Sequence, residues 1–582
     1  MIVLDASGSM TTADAPGPRI DAAKKATTDL ITALPAGAQV GLTVYGTGTG
    51  SSDVEKAAGC KDIRQLVPVG TVDKTSFIAA VDSVTARGYT PIGPALQQAA
   101  AALPAGKPGS IVLVSDGLDT CSPPSPCDIA GQLKAGNVDL VVHTIGFRVN
   151  EEARQQLSCI ARAAGGTYVD ASDGARLGSI LRSQVDAGLR PYEVAGTPVN
   201  GTPTPTAAPV ISPGQYTDTF PAGGSVTKYY SIDLVKGQTV YVTTTLVPAA
   251  LRGGGVGDKL AVVTRLESTR GSGCLPTERE SDTLLAGKVD PVSALISGLV
   301  GGAKWSKSCA DSGRFVVVVT RSNGSTIATR SETIVRIEPP LATPAADAMS
   351  LVPPGLPPPA LGSPTGKVGG ASFNTAPLIE AGTYSDTLST GETRYYKVHL
   401  DWGQRLAYQI VVDKIGGLDH GVGFVNSAVA TPNRQEIALS ANSNAARDFG
   451  GPESISVAGS TLVPIAYGNR NSDRSDVRSY SLAGDYYLSL GMSYPVGAVP
   501  FQTTVTLALA VDGAPSAAPD YLPLPSASIT APSAAIGSGL SQATRTDSSS
   551  GSAALLWGSV IGGAVVIAAG TAFVVRRRRV TH

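Results

Sequence analysis

The chain opens Met1-Ile2-Val3-Leu4-Asp5-Ala6-Ser7-Gly8-Ser9-Met10. A short apolar run ends on a carboxylate, and two serines follow at alternate positions. A run of this length bounded by polar residues reads as a buried strand. Asp5 then closes the strand, and Ser7 and Ser9 sit in the loop beyond it. Three further runs have the same character: Val40–Tyr45, Ile111–Ser115 and Leu140–Phe147. Helical patterns separate them at Ile20–Leu34 (stopped by Pro35), Ser76–Val84, Gly93–Leu103, Cys127–Ala135 and Glu151–Ala164. Strands alternating with helices predict an α/β domain over residues 1–190, a doubly wound parallel sheet of Rossmann-like type.

The chemistry gathers at one edge of that sheet. Asp116 follows the strand Ile111–Ser115, and Thr90 lies in the loop Gly88-Tyr89-Thr90-Pro91-Ile92-Gly93 ahead of a helix. Open parallel sheets bind ligands beyond the carboxyl ends of their strands. Asp5, Ser7, Ser9, Thr90 and Asp116 therefore form a candidate metal site. Their oxygens suit a hard divalent cation, Mg²⁺ above all, or Mn²⁺ or Ca²⁺. Three of the five donors are uncharged hydroxyls, so much of the ion's charge stays unneutralised. Such an ion can draw in a carboxylate from a protein partner.

These five residues match the pattern D-x-S-x-S…T…D, and the region resembles the von Willebrand factor A domain family with its metal-ion-dependent adhesion site. The resemblance covers about residues 1–190. It implies that Ser7, Ser9 and Thr90 hold the ion directly or nearly so, and that Asp5 and Asp116 act directly or through water. Asp119-Thr-Cys121, Pro126-Cys127 and Gln156-Leu-Ser-Cys159 look like the bacterial branch labelled calcium-activated chloride channel-like. That likeness implies two bridges among Cys60, Cys121, Cys127 and Cys159 around the rim of the site, with the pairing open. No channel follows from it, because a single apolar segment without internal charge offers no pore. Cys274 and Cys309 lie apart from the others and are expected to pair with each other. An even cysteine count in a chain with a membrane segment fits an oxidising location.

Beyond residue 190 the composition changes. Residues 191–210 read as a Pro/Thr linker, 339–377 as a Pro-rich linker, and 513–552 as a disordered Ala/Ser/Pro stalk. The two regions between them, 211–338 and 378–512, share a repeat. The first has Gly214-Gln-Tyr216-Thr-Asp218-Thr219, Tyr229-Tyr230-Ser-Ile232-Asp-Leu234 and Gly237-Gln238; the second has Gly382-Thr-Tyr384-Ser-Asp386-Thr387, Tyr395-Tyr396-Lys-Val398-His-Leu400 and Gly403-Gln404. Alternation within both copies predicts two tandem antiparallel β-sandwiches. It also turns Tyr229 and Tyr395 away from the sandwich core. There they would stack on a sugar or, as the preferred reading, pack under a loop.

Ala553–Val575 is an apolar run of membrane-spanning length, and the arginines 576–579 follow it directly in a basic tail, 576–582. The positive-inside rule places that tail in the cytoplasm and the rest outside the cell. An external N-terminus calls for a signal peptide. The chain starts instead on a strand, so a truncated or late-assigned start is expected.

Other function classes find little support. Net charge is −1 and only 16% of residues are charged, with no basic face for nucleic acid. Zinc-protease, nucleophile-elbow and phosphate-loop motifs are absent, so no enzyme is expected. His143 reads as a structural histidine in an apolar strand. The Asn/Asp-rich loop Asn469–Ser479 carries three arginines and reads as a solvated loop rather than a Ca²⁺ site. Asn200 and Asn323 match glycosylation patterns that arise often by chance. The expectation is a membrane-anchored cell-surface adhesion protein that binds an acidic residue of a protein partner through its metal. The alternative is a wall-associated or carbohydrate-binding protein whose β-sandwiches carry the binding.

Overall fold

The computed structural model describes residues 1–523 except 106, 248–258, 277, 284–290, 323–327, 344–348, 350, 414–421, 441–443, 449–453 and 494–500. Asn323, the stalk from residue 524, the apolar run 553–575 and the tail 576–582 lie outside the described residues. Among the described residues no helix is long and apolar enough to cross a membrane.

The first domain is built on β1 (Ile2–Asp5), β2 (Gln39–Tyr45), β3 (Ile63–Thr71), β4 (Gly109–Ser115), β5 (Leu140–Phe147) and β6 (Tyr168–Ala171), in the order β3-β2-β1-β4-β5-β6. All neighbours are parallel except β3, which runs antiparallel to β2 at the edge. β1 is wholly buried at the centre, and its alternation divides the core. Ile2 and Leu4 face a cluster with Ile20 and Leu30 of α1 (Arg19–Ala33). The same cluster takes in Phe77 of a later helix and Leu177, Ile180 and Leu181 of the last one. Val3 faces the opposite cluster, with Ile92, Leu96, Leu157 and Ile160. The helices completing the two layers are α2 (Lys56–Gly59), α3 (Lys74–Asp82), α4 (Ile92–Ala101), α5 (Pro126–Gly136), α6 (Glu151–Ala163) and α7 (Gly174–Leu189). Helices on both faces of a mostly parallel sheet are the expected α/β arrangement.

The repeat is a repeat of topology. The first β module contains β7 (Thr197–Pro198), β8 (Gly214–Phe220), β9 (Val226–Leu234), β10 (Thr239–Val247), β11 (Lys259–Ser268), β12 (Glu278–Thr283), β13 (Val292–Leu299), β14 (Gly313–Ser322) and β15 (Thr329–Glu338). The second contains β16 (Thr365–Gly366), β17 (Gly382–Ser389), β18 (Thr393–Leu400), β19 (Arg405–Val412), β20 (Val422–Ala430), β21 (Asn444–Asp448), β22 (Ile455–Ser460), β23 (Gly484–Ser493) and β24 (Gln502–Asp512). Their sheets are β13-β10-β15-β8-β7 with β12-β11-β14-β9, and β22-β19-β24-β17-β16 with β21-β20-β23-β18. Each strand of one module has its counterpart in the other. Within each module the two sheets enclose one core, around Phe220, Tyr230, Val242 and Val317 in the first and Leu388, Tyr396, Ile410 and Leu488 in the second.

The repeated motif residues hold the two sheets together. Asp218 accepts hydrogen bonds from Tyr230 Oη (2.7 Å) and Gly201 N (2.8 Å), and Asp386 accepts from Tyr396 Oη and Gly369 N (both 2.8 Å). Gln238 and Gln404 each accept from a backbone N–H three residues earlier. One cross-strand slot is used with opposite polarity. Asp233 pairs with Arg314 in the first module, and His399 pairs with Asp485 (2.8 Å) at the corresponding place in the second.

The proline-rich stretches lie along the modules. Pro198 sits in the edge strand β7, where a missing N–H is tolerated, and Ile211 N donates to Ser231 O. In the second stretch β16 pairs with β17, and Pro354 O accepts from Arg405. The start of the predicted stalk is also attached, with Ser516 N donating to Trp402 O.

Residues Met1–Leu524 form one compact unit, and buried polar contacts explain its cohesion. Glu332 of β15 is fully buried and pairs with Arg434 of the second module, itself 2% exposed. Glu332 also accepts from Tyr192 Oη (2.9 Å) and Ala195 N (2.6 Å) of the segment leaving α7. A second pair joins Glu338 to Arg470 at 2.6 Å. The first domain adds contacts from Asp139 to Arg330 (3.3 Å) and from Arg190 to Glu392 (3.7 Å).

Two measurements test this account. Glu332→Ala leaves the Arg434 charge buried without its partner and should cost about 3–5 kcal/mol of unfolding free energy in urea. Glu332→Leu with Arg434→Met should recover only part of it, because Tyr192 Oη and Ala195 N still lose their acceptor. Separately, the Asp485 hydrogen bond raises the His399 pKa above its ordinary 6.5. Stabilisation from this pair is therefore full below pH 6.5 and is lost as pH rises through the higher folded value. An NMR titration should place the His399 midpoint above 6.5, and Asp485→Asn should lower it, with Asp401 still holding part of the shift.

Candidate metal centre

The site forms where β1 and β4 end. Asp5 is fully buried, and both its carboxylate oxygens are held. Oδ1 accepts from Ser7 N at 2.8 Å and Oδ2 from Ser115 Oγ at 2.6 Å. After Ser7 the chain turns through the short 3₁₀ segment Gly8–Thr11, which leaves Ser7 buried and Ser9 exposed at the surface. The two hydroxyl oxygens are 3.0 Å apart, and Ser9 Oγ donates to Asp116 Oδ1 at 2.6 Å. Thr90 is 5% exposed, and its loop is tied to its neighbours on both sides. Gly88 O accepts from Gly8 N at 2.9 Å, Thr90 N donates to Thr120 Oγ1 at 2.9 Å, and Thr90 O accepts from Thr120 N at 3.1 Å.

Gly46 makes the close approach possible. It follows β2 with φ of +72°, and a Cβ there would lie 2.6 Å from Tyr89 O and 3.0 Å from Ser7 Cα. Only glycine combines that backbone with that proximity.

Electrostatics fits the donor chemistry. Burial, then the nearby Asp5 charge, pushes the Asp116 pKa up to about 6. Two carboxylates held close together out of water are stabilised by positive charge nearby, and Arg19 Nη1, 2.9 Å from Asp116 Oδ2, supplies part of it. The three hydroxyls and two carboxylates suit a hard divalent ion. Among the described residues no group of three or more His, Cys, Asp or Glu side chains converges. The donor set is thus hydroxyl-rich, unlike a carboxylate cage or a His/Cys zinc site.

All five sequence-predicted residues lie at this edge of the sheet. The structure adds Ser115, which fixes Asp5, and Arg19, whose Nη1 donates to Asp116 Oδ2 at 2.9 Å. Cys60–Cys121 joins the loop after β2 to the loop after β4, and Cys127–Cys159 staples α5 to α6. Cys274–Cys309 closes within the first β module. The sugar-stacking alternative loses one of its residues: Tyr395 is 3% exposed, packed against Phe373 and Tyr192. In the loop from Asn469, Arg470 joins Glu338, Arg474 joins Asp476, and Arg478 donates to the backbone carbonyls of Ser472 and Asp473. His143 is buried and hydrogen-bonded to Thr167.

The family model for the von Willebrand factor type A domain matches residues 1–118. The uncharacterized protein YwmC of Bacillus subtilis (strain 168) is 31% identical over 173 residues, which span 29% of this chain and 75% of YwmC. The chain belongs to the von Willebrand factor type A domain proteins. YwmD of the same organism is 28% identical over 174 residues, covering 29% of this chain and 77% of its own. Among solved structures, BatB from Bacteroides thetaiotaomicron has 19% identity and a TM-score of 0.26, spanning 32% of this chain and 95% of that one.

Gly46→Ala tests the packing around the von Willebrand A site. It should destabilise the protein by more than about 1 kcal/mol, since alanine strains a positive φ, and here its Cβ also meets Tyr89 O and Ser7. The loss should appear as a lower midpoint in chemical denaturation.

Proposed function

We propose that this chain is a surface-held binding protein that captures an acidic residue of a partner protein through a divalent ion in its von Willebrand A domain. One observation carries the reading: Asp5, Ser7, Ser9 and Asp116 gather at the sheet's carboxyl edge, the Thr90 loop is bonded to Gly8 and Thr120 beside them, and Ser9 is exposed at the mouth. The bound ion would supply an open coordination position for an incoming carboxylate. The chain's own residues hold the hydroxyls in place, keep Asp5 fixed from two sides and keep the second carboxylate close. No histidine lies among these donors to act as a base, which favours binding over hydrolysis. The apolar run 553–575 and the arginines after it support a membrane anchor with the binding domains outside the cell.

Calorimetric titration of the full chain with Mg²⁺ tests the reading. Wild type should bind saturably, and Ser7→Ala/Ser9→Ala and Asp5→Ala should each abolish the binding while the β modules stay folded. A folded wild type that takes up neither Mg²⁺ nor Mn²⁺ would remove metal-bridged capture.

A further inference from the structure

We infer that Arg19 is a positioning residue for the metal site, acting through Asp116 and itself held by Asp14, which Arg148 also contacts. The inference rests on the metal-binding reading above. Arg19 is the first residue of α1, next to Pro18, and its side chain is 14% exposed. It uses three nitrogens on two carboxylates. Nε and Nη2 donate to Asp14 Oδ1 (2.9 Å) and Oδ2 (2.7 Å), and Nη1 donates to Asp116 Oδ2 (2.9 Å). Asp14 Oδ2 also meets Arg148 Nε at 3.1 Å. Arg148 has a left-handed backbone (φ 54°) and donates from Nη1 to Ser172 O at 2.7 Å.

Two features give this chain of charges its meaning. The oxygens of Asp116 are divided: Oδ1 faces the serine hydroxyls, and Oδ2 is taken by Arg19. Arg19 therefore fixes the rotation of the carboxylate that points its other oxygen at the site. The Arg19 charge is also partly offset by a two-point pair with Asp14, which Arg148 shares, so these three groups together carry one net positive charge. That charge works against a bound cation, whereas the hold on Asp116 works for it. Planar, two-sided bonding of this kind is available to arginine and not to lysine.

The two accounts of Arg19 differ in sign. If it only adds positive charge, removing it tightens metal binding. If it positions Asp116, removing it weakens binding, by roughly 10–100-fold for a residue supporting a ligand. The test is Mg²⁺ calorimetry on the full chain, comparing wild type with Arg19→Gln and Arg19→Lys, with folding verified by circular dichroism. The expected result is a dissociation constant at least about tenfold weaker in Arg19→Gln and a smaller weakening in Arg19→Lys. Binding equal to or tighter than wild type in folded Arg19→Gln overturns the inference. Should that variant not fold, Arg19→Lys decides alone: weaker binding supports positioning, and unchanged binding overturns it. A wild type that binds no metal would refute the proposed function instead, so the two failures are distinguishable.

Discussion

Two buried carboxylates at the ends of adjacent central strands set the terms for everything around them. Asp5 and Asp116 are 0% and 6% exposed, on neighbouring strand ends. Their mutual repulsion in a poorly solvated place is costly unless hydrogen bonds and a cation offset it. The nearby residues answer each part of that cost. Ser7 N and Ser115 Oγ satisfy Asp5, Ser9 Oγ and Arg19 satisfy Asp116, and the Ser7 and Ser9 hydroxyls add neutral oxygens beside them. The loops must also come close enough to share that space, and Gly46 permits it.

The opposite end of the sheet is used differently. Asp139, just before β5, and Arg190, just after α7, meet the two β modules there, and Asp186 of α7 accepts from Gln502. In a parallel sheet the two edges are distinct, so attachment at the amino ends leaves the carboxyl ends open for a ligand. The β modules are themselves joined through Glu332 and Glu338, each reached by an arginine of the second module. Buried ion pairs add little to net stability but are costly to break one partner at a time. They favour a unit that holds one arrangement over a string of independent beads.

Much of this was readable in the sequence, and the misses have physical causes. Short apolar runs revealed β1, β2, β4 and β5 because both faces of a central parallel strand are buried. The edge strand β3 is mostly half-exposed or exposed and has no such run. β6 has only four residues, too few for a pattern. Hydroxyl and carboxylate spacing pointed to five candidate residues, and each lies at a strand end or in a loop that the strands place. Arg19 and Asp14 escaped because their meeting depends on where α1 begins relative to a surface loop, and no spacing encodes that. Glu332 and Arg434 escaped for a related reason. A lone charged residue reads as solvent-facing until a second module covers it.

Composition misled most where proline was dense. Proline and threonine over 191–210 and proline over 339–377 suggest free linker, yet a chain without N–H donors can still lie at a sheet edge and accept hydrogen bonds there. Pro198 in β7 and the carbonyl of Pro354 do this. The same segments bring Gly201 and Gly369 to Asp218 and Asp386, the carboxylates repeated between the modules. Each carboxylate thus ties its incoming segment to a core tyrosine of the facing sheet. This accounts for the repetition of aspartate, tyrosine and glycine in both modules, with no need to assign them a ligand. The candidate binding chemistry of the described residues accordingly stays with the hydroxyl-rich edge of the first domain.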